Sequence, residues 1–403
     1  MINRRQMRLL VWLLVLLAMS GCSWFGGDDE PEEIKPNPLP DINEEVRLDV
    51  LWNQKIGGGS GDRAIRLRPA IIGGRVFAAS ADGKIKALTT DTGRVIWEAE
   101  IKDFYTKEEL SFGFSKGLDA ITGGVGAGGD LVVVGTGSGE ILALNQSDGS
   151  LAWKSRVASE VLSQPQIDND LVVVQTIDGK VAAYDAIDGS SKWIYTTNIP
   201  ALTLRGTSTP IISDDVIVVG FSSGRVTLLE RDTGFVRLEQ RVGVAQGSSD
   251  LERLVDIDGA MAMENGRLYA ASFQGGIVGL DLVSGRVLWS EEASSVSGVG
   301  TGFGNVYLAS SDSQISAHNA DNGREVWRVD ALLHRDITAP VAMGSYIAFA
   351  DFEGYLHLMA QSDGRFVGRR KIDGAGVRSG VVAEGDRLYA MGNKGSLFVL
   401  EIR

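Results

Sequence analysis

Cys22 is the only cysteine in 403 residues, so no intrachain disulfide can brace the fold and its stability has to come from a large apolar core. Histidine is nearly as scarce. His318, His334 and His357 stand apart, with no second ligand at metal-binding spacing, and offer neither a metal centre nor a partnered catalytic base. Helical periodicity is missing as well: beyond an apolar run near the amino terminus, no segment longer than a few residues sustains it, which leaves an all-β body. Positive charge is in the minority, with 39 Lys and Arg against 52 Asp and Glu and a net charge of −13. That sign disfavours nucleic acid and anionic lipid head groups as partners.

What is present begins with MINRRQMRLLVWLLVLLAMSGCS. Arg4, Arg5 and Arg8 precede the apolar run Leu9 to Met19, which is shorter than the ~20 residues a membrane span requires. A basic start, a short apolar middle and small residues before a cut read as a secretory signal over residues 1–21. MSGC resembles the lipobox of bacterial lipoproteins, with Met19 where that pattern prefers leucine, so Cys22 is the expected lipidation site. By the same resemblance, Ser23 in place of aspartate implies sorting to the outer membrane, with the protein held on its periplasmic face. Loss of the three leader arginines takes the net charge from −13 to −16. The lipid, not the surface charge, is therefore the expected membrane anchor, since each buried methylene contributes ~0.8 kcal/mol. Residues 22–45, rich in acids and proline, are expected to form a flexible lipidated tether ahead of a folded body at 46–403.

The body repeats itself. DTGRVIW, SDGSLAW, IDGSSKW, VSGRVLW and DNGREVW each place a tryptophan four residues after a glycine: Gly93, Gly149, Gly189, Gly285 and Gly323. Gly234 and Gly364 keep the turn without the tryptophan. Spacings near forty residues match propeller blades. Within each copy an apolar strand, an Asp-Gly-type turn, an alternating strand, a second glycine turn and a third strand follow in order. Eight such units can be traced, most preceded by a further short strand near Pro or Gly, which gives four antiparallel strands per blade.

The two ends of the chain complete one another. The eighth unit stops at Arg403 after its third strand, whereas LDVLWNQKI carries Trp52 with no copy to own it. The amino-terminal strand is thus expected to complete the last blade, which closes the ring and removes a sheet edge. The expected architecture is an all-β, eight-bladed β-propeller. In it Trp52, Trp97, Trp153, Trp193, Trp289 and Trp327 are blade-docking residues, each ring contributing about 3–5 kcal/mol. Trp24 belongs with the tether.

Several motifs resemble chemistry without its context. Gly124, Gly126 and Gly129 satisfy G-x-G-x-x-G but precede a strand rather than open a helix. Ser222, in GFSSG, sits in a blade hairpin without the strand-to-helix elbow and histidine a hydrolase needs. Asp256 and Asp258 lack the further acids of a calcium loop. The residues present no catalytic constellation.

The repeat resembles that of the eight-bladed quinoprotein dehydrogenase propellers across the whole mature body. Joined to the lipobox and acidic tether, it resembles the BamB family, lipoproteins of the outer-membrane β-barrel assembly machinery. That resemblance implies a non-enzymatic scaffold without a cofactor, which binds the periplasmic POTRA domains of BamA and assists the folding and insertion of outer-membrane β-barrel proteins. Unfolded β-barrel clients are a further expected partner.

Two irregular connectors fit this reading. In NIPALTLRGTSTP (198–210), Leu202 and Leu204 alternate with threonine and end at Arg205. The leucines either pack under the ring or form an exposed apolar patch beside an arginine, the composition of an interface hot spot. AQGSSDLERLVDIDGAMAM is longer than an ordinary connection, and such loops on rigid scaffolds concentrate function. By the family resemblance, L-x-L-R and D-x-D meet on one side of the propeller and bind a POTRA domain, which selects Leu202, Leu204, Arg205, Asp256 and Asp258. Charge suggests that the leucines fill an apolar hollow, that Asp256 or Asp258 holds Arg205, and that the other carboxylate faces a basic patch. A further insertion, residues 102–120, suits a cover over one face.

Two other readings compete. A quinone-dependent dehydrogenase would resemble enzymes with a vicinal cysteine pair, which the mature body lacks. A sugar-binding propeller would need aromatics at its channel mouth, and the sequence does not show where Phe and Tyr point.

Overall fold

The computed structural model describes residues 34–106, 120–244 and 246–403. The expectations for the leader, Cys22 and Trp24, and for most of the 102–120 insertion, lie outside the described residues. Residues 37–403 form one compact unit. It comprises eight four-stranded antiparallel sheets, seven built from consecutive strands. In the eighth, Leu48–Lys55 pairs antiparallel with Ser396–Ile402 and places Trp52 opposite Val399. The amino-terminal strand therefore closes the ring, as the unowned tryptophan required.

Burial follows position within a blade. The second strand of the second blade, Leu131–Thr136, and that of the fourth, Val216–Phe221, are buried at every residue. Both faces of a middle strand meet neighbouring blades, so the sequence runs apolar rather than alternating. The outermost strand is wet instead, as in Val236–Arg241, where every residue is at least partly exposed.

The recurring tryptophan has a geometric cause. The pairing between the third and fourth strands slips by one residue just before it, so Trp97, Trp153, Trp193 and Trp327 each stand opposite an alanine and Trp289 opposite Gly279. Such a bulge re-aims a side chain, and the small residue opposite leaves room for the ring. The indole then lies on the turn glycine of the next copy, not its own. A Cβ at Gly149 would come within 2.6 Å of the Trp97 ring, and one at Gly323 within 2.6 Å of Trp289. Each indole N–H donates to a backbone carbonyl of that next turn, as from Trp97 to Gln146 and from Trp153 to Ala186, both at 2.9 Å. These glycines thus serve twice: they take a positive φ, +75° at Gly149, and leave the ring flat contact.

The two copies without tryptophan are filled differently. Leu238, four residues after Gly234, packs on Gly285. At Gly368, four after Gly364, the backbone of Val46 approaches, and the N–H groups of Glu45 and Val46 both donate to Val367 O, at 2.9 and 3.1 Å.

One boundary moves. Residues 37–45, expected within the flexible tether, are bonded to the propeller. Asn37 donates its N–H to Leu333 O at 2.9 Å, Arg335 donates to Asn37 O at 2.9 Å, and Arg369 to Pro40 O at 3.1 Å. Arg365 grips Glu45 through two bonds of 2.8 and 2.9 Å. Composition registered the acids and prolines of this stretch, but not the arginines far along the chain that bind its carbonyls.

Candidate functional site

Three consecutive connectors, each running from the outer strand of one blade to the inner strand of the next, meet on one face of the ring. They carry Glu160, Leu202 to Arg205, and Asp256 to Asp258. The middle connector lacks regular structure from Thr197 to Pro210, so its shape depends on its neighbours. Asp256 Oδ1 accepts the Leu204 N–H at 3.0 Å and fixes the backbone at the centre of the L-x-L-R stretch. Asp258 lies against Gly206, where a Cβ would meet its Oδ2 at 2.6 Å. Any side chain at position 206 would push the loop off its support.

The D-x-D segment is itself sunk into the ring. Leu254, Val255 and Ile257 are buried, the Ile257 side chain packs against Gly220, and its N–H donates to Phe221 O at 3.3 Å. Asp256 and Asp258 are only 1% and 3% exposed. Neither presents a carboxylate to a partner, which overturns the expectation that one of them faces a basic patch. Nor does either hold Arg205. That guanidinium forks onto Glu160, with bonds of 2.9 and 2.7 Å, in the connector one blade earlier. Glu160 escaped the sequence reading because it lies 45 residues upstream in an unremarkable turn. The burial of the aspartates did leave a signal in their flanking Leu254, Val255 and Ile257.

Burying two acids this closely has an electrostatic consequence. Burial pushes the Asp256 carboxyl up to about 6, against the pull of the Leu204 N–H. Burial and the neighbouring Asp256 charge together push Asp258 to about 7, with Arg66 opposing them. Among the described residues, both Asp258 oxygens lack a hydrogen-bond partner. The pair is therefore a buttress under the loop, whose ionised form costs free energy.

Above the buttress, Leu202 is 41% exposed and Leu204 half-buried beside the forked Arg205. An apolar patch, a planar cation and a backbone held from below suit recognition of another protein surface. The other motifs stay apart from this site. Gly124 and Gly126 lie within the strand Ile121–Gly128, with Gly129 in the turn after it, and Ser222 follows the strand Val216–Phe221 in a hairpin. His318 and His357 are buried in strands, whereas His334 is exposed. No group of His, Cys, Asp and Glu among the described residues is arranged to hold a metal.

The family model described as outer membrane protein assembly factor BamB matches residues 81–329 and 311–403. The chain belongs to the BamB family. It is 40% identical to the BamB of Pseudomonas aeruginosa over 391 residues, covering 97% of this chain and 98% of that one. It is 37% identical to the BamB of Escherichia coli over 390 residues, covering 97% of each. The crystal structure of BamB from Moraxella catarrhalis superposes with a TM-score of 0.78 at 29% identity, over 88% of this chain and 99% of that one. Quinohemoprotein alcohol dehydrogenase from Comamonas testosteroni matches at a TM-score of 0.67 but only 14% identity, over 88% of this chain and 76% of that one. That likeness speaks for the fold alone. Membership of the BamB family makes the chain an outer membrane protein assembly factor rather than a quinone enzyme.

Proposed function

We propose that the protein is a lipid-anchored scaffold that docks a periplasmic POTRA domain of BamA through Leu202, Leu204 and Arg205. One observation carries this reading: an apolar and cationic patch is exposed while its backbone is tied to a buried carboxylate, so little ordering remains to be done on binding. Glu160 holds Arg205 in a fixed fork, and Asp256 and Asp258 act from behind rather than at the contact. Lipid on Cys22 would keep the propeller at the periplasmic face of the outer membrane, close to the partner. Its outermost strands, with Ile194 at 54% and Val236 at 48% exposure, offer edges to which an unfolded β-barrel client could add a strand.

The test replaces Leu204 and Arg205 together by alanine and measures recovery of BamA from solubilised envelopes. Two interface anchors at about 2 kcal/mol each correspond to a loss of several hundredfold in affinity, enough to abolish co-purification. Thermal unfolding should stay within a few degrees of the wild type. Retained BamA would overturn the site, and collapse of the fold would show that the leucines serve the core.

A further inference from the structure

Seven of the eight blades send the segment at or before their innermost strand to a common cavity of about 510 Å³. Elements so far apart in the ring can converge only on its axis. The lining inverts the charge of the molecule. In a chain of net charge −13, this cavity is bordered by four arginines, Arg66, Arg68, Arg205 and Arg378, against Asp258 and Asp336.

The arginines are not equivalent. Arg205 is neutralised by Glu160. Arg66 is spent on structure, donating to Asp258 O at 2.7 Å and Val296 O at 2.9 Å. Among the described residues the Arg68 side chain makes a single long bond, 3.5 Å to Val381 O, and its Nε is buried without a partner. Its side chain crosses to Gly380, where a Cβ would meet Nε at 3.8 Å, two residues from Arg378. Arg378 is exposed, and among the described residues its guanidinium donates only to the carbonyls of Gly61 and Arg63, at 3.4 and 3.5 Å. Neither Arg68 nor Arg378 forms an ion pair among the described residues.

Asp258 does little to offset them. Both its carboxyl oxygens are sealed from solvent, and burial keeps it close to half-protonated near neutral pH. Burial and the adjacent Arg66 charge bring Arg68 below the usual arginine range, the mark of a cation that lacks a counter-ion. Asp336, the other acid at the cavity, leaves an excess of arginine, and low-dielectric walls with an excess of one sign of charge concentrate the opposite sign. The volume falls within the ~300–1,000 Å³ of small-molecule sites, and a guanidinium fork matches carboxylate and phosphate oxygens.

We propose that the axial cavity is a binding site for a small oxyanion, a carboxylate or a phosphate, held by Arg68 with Arg378 at the mouth. Arg205 borders both this cavity and the partner-binding loop, whereas Arg68 and Arg378 take no part in the proposed partner contact.

The experiment titrates inorganic phosphate and citrate separately into the full-length protein in detergent, at low chloride, by calorimetry. One equivalent of at least one anion should bind. Arg68→Gln should weaken it about tenfold or more, the loss expected for a charge-assisted bond, while Arg324→Gln on the outer surface should leave it unchanged. The tighter anion assigns the site to phosphate or to carboxylate chemistry. Should Arg68→Gln fail to fold, Arg378→Gln makes the same measurement at the exposed mouth. Absence of saturable binding, or equal weakening by Arg324→Gln, would overturn the proposal.

Discussion

Replacing Asp258 by asparagine should reverse the order of stability between acid and alkaline pH. In the folded protein Asp258 holds its proton up to about 7, against an ordinary value of 3.8. Between those values the unfolded chain binds fewer protons than the folded one, so the wild type loses stability as pH rises from about 4 and levels off above about 7. The difference of roughly 3 units corresponds to about 4 kcal/mol at pH 8. The Asp258→Asn side chain carries no charge, so this dependence disappears, but its amide inherits a site without partners at a cost of about 1–3 kcal/mol. The wild type should therefore be the more stable at pH 4, where it has lost only about 0.6 kcal/mol, and the variant at pH 8. For a propeller of this size the swing amounts to about 5 °C in Tm. Thermal unfolding followed by circular dichroism at pH 4, 5, 6, 7 and 8 resolves it. Parallel curves for the two proteins would refute the buried-carboxylate reasoning.

Two further outcomes follow from the packing. Gly149→Ala should destabilise by about 3 kcal/mol in urea unfolding, because its Cβ strikes the Trp97 ring; Gly266→Ala, with the same sign of φ (+72°) and nothing within 4 Å, should cost only about 1 kcal/mol. Arg335→Ala leaves Asp351, fully buried and bonded to Arg335 at 2.9 Å, without its cation, and should cost about 3–5 kcal/mol and release residues 37–40 to proteolysis.

The fold was legible because a propeller writes its architecture locally. Each blade needs its own glycine turns and strand pattern, and a missing outer strand at one end is matched by a spare at the other. The partner of each tryptophan was less legible: the spacing within a copy pairs it with the glycine four residues before, whereas the ring rests on the glycine of the next copy. The candidate site divides along the same line. Leu202, Leu204 and Arg205 can be picked out from composition within one loop. The roles of Asp256 and Asp258 cannot, because burial depends on how three connectors stack, and carboxylates in a long loop suggest exposure. Glu160 and the arginines that hold residues 37–45 act across tens to hundreds of positions, beyond any local pattern.

The most direct test of the scaffold account is photo-cross-linking in intact cells from a benzophenone side chain at position 202. It should capture BamA, whereas the same group at Val283, 92% exposed on an outer hairpin turn, should not. Capture from position 283 alone, or equal capture from both, would contradict docking through this loop.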